Sequence, residues 1–341
     1  MKRELKTGRT STNPRSNFFP RNSARCLSAA LFPALLLAPA FFSCTQDVTD
    51  AQAPRRINIV WQRPTPPESI HLFYFDTLGV QALDTYQQLN ALVGQNHAIS
   101  GTGVKRLVAL SGISGNSVEW QEVATYGNLC KHVFSLERED AAQPLLAGQA
   151  LLEDGASRAL TLPLKTMLSA IKIRSVACDF SGRTYEAEDY DNFSLFLSYA
   201  ASEYLPLDPQ GGRAVSWMNL GDVDSVSVGK LKCPEMVLQQ GYGRIRKQRR
   251  LEEKTFYCYA NTQRPEDMPL TRLVMAGRVA GKSCYYAIEL PPLLPGVCYQ
   301  LDITLKRMGT DSPDIPARSG SVEIQTQTMP WEERAHYTVT Y

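Results

Sequence analysis

Apolar residues along this chain fall into short runs that alternate with polar positions and stop at Gly, Pro, Asp or Ser. That punctuation predicts strands over 57–62, 70–76, 104–111, 145–152 and 158–164. A second series covers 168–178, 193–200, 255–260, 271–279, 284–290, 298–307, 321–328 and 337–341. The clearest case sets Tyr299, Leu301, Ile303 and Leu305 on one face against Gln300, Asp302, Thr304 and Lys306 on the other, the period of a strand with one buried side. Two stretches read as helical: Leu83, Tyr86, Leu89 and Val93 recur at near-helical spacing, and 119–130 groups Trp120, Val123, Tyr126 and Leu129 on overlapping faces. Strands and helices do not alternate in the βαβ manner, so packed sheets are expected rather than a doubly wound or barrel α/β fold. The long strand that opens at Leu168 puts the expected domain boundary near Lys165. The fold expected is all-β with minor helices, as two sandwich domains over 57–165 and 166–341.

The N-terminal segment departs from this pattern. Seven Lys or Arg and one Glu lie within 1–43, ending at Arg25, and an apolar run over 27–42 leads to Ser43-Cys44. A basic region, an apolar core too short for the roughly 20 residues of a bilayer span, and a small residue before a cysteine make up an export signal of lipoprotein type. Cys44 is the expected lipidation site and new N-terminus, with 44–56 a polar leash containing Pro54. Acyl chains hold a protein on a membrane at about 0.8 kcal/mol per buried CH₂. The whole chain carries a formal charge of +2, but the signal accounts for +6 of it, so the exported body stands at −4 and nucleic acid is an unsuitable partner.

Little else suggests chemistry. The body has six cysteines, Cys130, Cys178, Cys233, Cys258, Cys284 and Cys298, without CxxC or zinc spacing, and their pairing is open. The four histidines form no HExxH or HxH pattern, and Gly112 to Gly115 lacks the spacing of a nucleophile elbow. Glu186, Glu188, Asp189 and Asp191 lack the order of a calcium loop and read as a solvated acidic segment. Five basic residues within 244–250 read as an exposed hairpin tip. No enzyme, no metal and no diffusible cofactor are expected.

The final third is more specific. The run 299–316, with its Gly309-Thr310 and Pro313, then 321–328, then Pro330-Trp331, resembles the closing signature of Bacteroidetes-type fimbrillins. Phe256-Tyr257-Cys258-Tyr259-Ala260-Asn261, 145–149 with 160–164, and 105–110 resemble further strands of that family in order. The resemblance implies a pair of transthyretin-like Greek-key sandwiches, exported as a surface lipoprotein of the outer membrane and joined to other fimbrial subunits by strand addition. In that mechanism a sheet lacking a strand exposes unpaired backbone groups and a groove, which a partner's strand fills.

The family's arginine-specific processing, carried onto this chain, falls at Arg63, and here Pro64 follows it. Proline constrains the bond and removes its N–H, which opposes cleavage. An uncut chain keeps its first strand, with Ile57, Ile59 and Trp61, and keeps the lipid at Cys44. Arg55-Arg56 is the weak point, since a cut there would release the lipid alone. The segment 331–341, with Trp331, Tyr337, Val339 and Tyr341, remains as a donor strand. The resemblance thus points to the anchoring-subunit type, at the base of a fimbria, with the major stalk subunit as partner and host contacts made through the assembled fibre. The alternatives are a stalk or accessory tip subunit and, of another class, a glycan-binding surface lipoprotein using Trp120 or Trp217.

Overall fold

In β1 (Arg56–Gln62) the alternation is realised directly: Ile57, Ile59 and Trp61 are buried on one face while Asn58 and Val60 are half-buried on the other. The computed structural model describes residues 56–62, 66–90, 103–113, 120–153, 160–186, 189–221, 223, 228–245, 249–250, 255–318, 320–330 and 334–340. The strands after β1 are β2 (Ser69–Asp76), β3 (Leu83–Asn90), β4 (Lys105–Ser111), β5 (Phe134–Ser135), β6 (Leu146–Leu152) and β7 (Leu160–Thr166). They continue as β8 (Leu168–Cys178), β9 (Tyr190–Ser198), β10 (Ala200–Leu205), β11 (Arg213–Met218), β12 (Leu238–Tyr242) and β13 (Arg249–Arg250). The last are β14 (Thr255–Tyr259), β15 (Arg272–Val279), β16 (Lys282–Glu289), β17 (Val297–Leu305), β18 (Val322–Pro330) and β19 (Arg334–Thr340). Among the described residues helix is confined to short pieces, including α1 (Tyr126–Cys130) and α2 (Pro234–Val237), so the all-β expectation holds.

The first sheet runs β19-β1-β7-β6-β4-β2-β3. β7 changes neighbour along its length: Leu160 to Leu164 pair in parallel with β1, whereas Lys165 and Thr166 pair with Ala147 and Leu146 of β6. At that crossing a Cβ on Gly148 would lie 2.4 Å from the Pro163 carbonyl oxygen, so only glycine fits there. The result brings Ile57, Ile59, Trp61, Leu162 and Leu164 against Leu72, Tyr74, Leu107 and Ala109 in one buried cluster.

A single residue, Met167, separates β7 from β8. β8 lies within an eight-stranded sheet whose main path is β11-β10-β14-β8-β17-β18, and a four-stranded sheet runs β12-β9-β15-β16. Ile171, Ile173, Leu301 and Ile303 of the former meet Phe193, Leu195, Leu273, Met275 and Tyr286 of the latter in the main core. The same core contains Phe73, Phe75 and Val108 of the first sheet, with Trp120, Tyr126 and Phe134 of the segment that follows β4. β5 also pairs with β10, Tyr204 opposite Phe134 and Glu203 opposite Ser135. Residues 51–341 form one compact unit.

Of the two helical expectations, one is overturned and one is met in part. Residues 83–90 form β3, antiparallel to β2. Tyr86 packs beside Phe73 in the main core, ring centroids 5.2 Å apart, while Leu89 belongs to the cluster on the sheet's other face. A strand with apolar residues on both faces imitates helical spacing; Val93 lies outside the described residues. The 119–130 stretch forms a 3₁₀ turn at Trp120–Glu122 and then α1, whose start Thr125 caps by accepting from the Asn128 N–H at 3.2 Å.

The motifs that carried the resemblance have structural reasons. Asn261, buried, donates to Thr271 Oγ1 at 2.7 Å and accepts from the Leu293 N–H at 2.6 Å, closing the end of β14 onto two loops. Thr310 exchanges both backbone hydrogen bonds with Tyr285 at 2.8 Å, and a Cβ on Gly309 would stand 2.3 Å from the Tyr285 carbonyl oxygen. The Gly-Thr loop is therefore docked on β16 and has no space for a larger residue.

Candidate functional site

The candidate site is β1 with its two neighbours. On one side β1 runs parallel to β7, with Ile57 opposite Leu160 and Ile59 opposite Leu162. On the other it runs antiparallel to β19 through seven residue pairs, from Arg56 opposite Thr340 to Gln62 opposite Arg334. Ile59 stands opposite Tyr337 and Ile57 opposite Val339 in this register. β19 forms the outer edge of the sheet. The C-terminal strand thus lies in the first sheet beside the N-terminal strand, and it does not extend the sheets of the second half.

Ile57 and Ile59 are fully buried and Trp61 is 3 % exposed, so β1 is part of the core and not a strap laid over it. Fully burying a side chain of this size contributes about 1.5–3 kcal/mol. Both backbone edges of β1 are occupied, one by each neighbour. Cys44, Arg63, Pro64, Trp331 and Tyr341 lie outside the described residues.

No protein-family model matches the sequence, and no curated protein matches it. Solved structures do. A fimbrilin of Porphyromonas gingivalis aligns over 82 % of this chain and 98 % of its own at a TM-score of 0.55 and 10 % identity. A Bacteroides eggerthii protein assigned to cell adhesion covers 82 % of this chain and 97 % of its own, with a TM-score of 0.54 and 14 % identity. A Parabacteroides distasonis protein with the same assignment covers 82 % and 100 %, at 0.53 and 13 %. The chain has the fimbrillin fold.

Within this fimbrillin fold the other candidates from the sequence are scattered. Glu186 Oε2 accepts from the Gly182 N–H at 2.9 Å, and Asp189 lies 4.0 Å from Arg244; Glu188 is outside the described residues. Among the described residues no group of three or more His, Cys, Asp or Glu is arranged to hold a metal ion. The basic run is not wholly a tip, because Arg249 and Arg250 form β13 against Val176 and Ser175 of β8. Trp120 is buried against Phe134, ring centroids 6.1 Å apart, so it offers no exposed platform for a sugar; Trp217 is half-buried.

His71 also belongs to the packing. Its Nδ1 lies 2.8 Å from Tyr86 Oη, and burial pushes its pKa down to about 4. The described cysteines carry no disulfide; burial pushes Cys178 and Cys258 up to about 12, which leaves them as unreactive thiols. A cleft of about 430 Å³ near the join of the two halves, with Gln149, Lys165, Tyr204, Gln210 and Gln263 in its wall, contains no nucleophile and base pair.

Sequence reasoning missed the pairing of β19 with β1. Their alternation is visible, yet which of many strands will neighbour each other across 271 intervening residues, 63–333, has no local signature.

Proposed function

We propose that this chain is the lipid-anchored subunit at the base of a fimbria, held to the outer membrane through Cys44, ending or limiting polymerisation, and giving its C-terminal strand to the stalk subunit. The observation that carries this reading is the complete burial of Ile57 and Ile59 in β1, flanked on both edges by β7 and β19. A chain that keeps this strand leaves no vacant strand position beside β7 for a neighbour to fill. Pro64 after Arg63 supports retention, because proline hinders cleavage of the bond that would free β1.

The self-pairing of β19 supports the other half of the reading. A seven-residue strand that docks on a sheet edge through backbone hydrogen bonds is competent to dock on another sheet. Donation then exchanges one set of β19 pairings for another, while β1 stays held by β7. Such an exchange needs no new covalent step.

Deleting 331–341 tests the donor half. The shortened protein should still fold, reach the cell surface and carry its lipid, while fimbriae are shed into the medium. Fimbriae retained at the unaltered level on cells carrying the deletion would refute strand donation.

A further inference from the structure

The hairpin between β2 and β3 ends in an apolar tip that stands exposed among the described residues. Leu78 is 84 % exposed and Val80 78 %, more than any other large apolar residue among those described. Isolated exposed apolar residues are ordinary on protein surfaces. This tip differs in that its six residues, 77–82, carry no charge and are clamped at the base. Asp76 N–H donates to the Ala82 carbonyl at 2.9 Å, and the Tyr126 N–H to that of Gln81 at 3.0 Å, while Gly79 and Gln81 adopt positive φ. The nearest charges behind it are paired, Lys105 lying 2.6 Å from Asp76 and 3.3 Å from Asp84. The shape is a held-out wedge rather than a collapsed loop.

Its position follows from the sheet. Asp76 at the end of β2 stands opposite Lys105 at the start of β4, which stands opposite Leu152 at the end of β6. A connection of seven residues, 153–159, leads from there to Leu160 at the start of β7, which pairs in parallel with Ile57. The tip therefore lies at the same end of the sheet as Arg56, where the chain from Cys44 enters. β1 and β2 are four strand spacings apart, at most about 20 Å. Eleven residues, 45–55, separate Cys44 from Arg56, and at ~3.5 Å per residue they reach up to about 39 Å. Half-exposed Leu151 and Val104 stand at this same end, and Thr77 Oγ1 donates to the Val104 carbonyl at 3.2 Å.

We propose that the 77–82 tip is a second membrane contact, with Leu78 and Val80 seated at the boundary between headgroups and acyl chains of the bilayer that holds Cys44. This rests on the lipid-anchor reading above and adds an orientation to it: the body stands on the end of its first sheet. An uncharged, pre-shaped apolar tip suits a bilayer surface, which presents hydrocarbon without demanding a matching side-chain pattern. A two-point attachment would stop the body from swinging on its leash.

The test places a photo-crosslinking phenylalanine analogue at Leu78 in the full-length protein, in intact cells, with a second protein carrying it at Leu294. That control is 49 % exposed and lies by Ser169, beyond the other end of β7. After illumination, mass spectrometry of the purified protein reads both the adduct and the state of Cys44. The proposal expects acylated Cys44 and a phospholipid-mass adduct at least tenfold more abundant at 78 than at 294. Acylated Cys44 with no lipid adduct at 78, or with an adduct to another protein there, overturns the membrane contact and leaves the anchor reading standing. Unacylated Cys44 overturns both.

Discussion

Tyr259 donates its phenolic hydrogen to Glu139 Oε1 at 2.5 Å, tying the turn after β5 to the end of β14. The second carboxylate oxygen accepts the Leu145 N–H at 3.0 Å. Burial pushes the Glu139 carboxyl up from 4.5 to about 7, against the opposing pull of these two hydrogen bonds.

A carboxyl whose pKa is raised by folding binds more protons in the native state than in the unfolded one over the interval between the two values. Its contribution to stability is therefore fully present below 4.5 and is lost as pH rises through about 7. Glu139→Gln keeps the shape and removes the titration. Urea midpoints of the wild-type protein should show a component that falls between about pH 5 and about pH 8 and is missing from Glu139→Gln; identical pH profiles would show that the carboxyl does not couple to folding.

Because Ile59 is fully enclosed between the layers, Ile59→Ala should cost about 2–5 kcal/mol, read as a lower urea midpoint at an unchanged slope. A loss under about 1 kcal/mol would mean that β1 is dispensable to the core.

Gly309→Ala pushes a methyl group into the Tyr285 carbonyl oxygen at 2.3 Å, where both partners are backbone and the loop must shift. The expected cost is about 1–3 kcal/mol by thermal or urea unfolding. Wild-type stability in this variant would contradict the tight docking of the Gly-Thr loop on β16.

The retention of β1 proposed above makes Pro64 the guard of the Arg63 bond. With Pro64→Ala, an arginine-specific protease should cut the folded protein after Arg63 at least tenfold faster than wild type, releasing a fragment that ends at that residue. Equal rates would mean that proline is not what guards this bond.

Much of the fold was legible because alternation and turn residues are local. The runs that became β8, β14 and β17 stood out from their punctuation, and Gly309 and Asn261 proved to be positions fixed by contact with a neighbouring backbone. β3 was misread because Tyr86 and Leu89 serve cores on opposite faces. β10 and β11 were missed, their short runs lacking a sustained alternation. The partnership of β19 with β1 and the contact between Glu139 and Tyr259 join residues far apart in the chain, where spacing carries no information. The apolar tip of Leu78 and Val80 was in plain view, but its meaning depends on which end of the sheet it occupies.

The central claim is that one molecule keeps both its lipid and its first strand, and mass spectrometry of the mature N-terminus on surface fimbriae tests it most directly. The expected result is acylated Cys44 followed by an intact 45–63; a mature protein that begins at Pro64 or shortly after it would contradict the anchor.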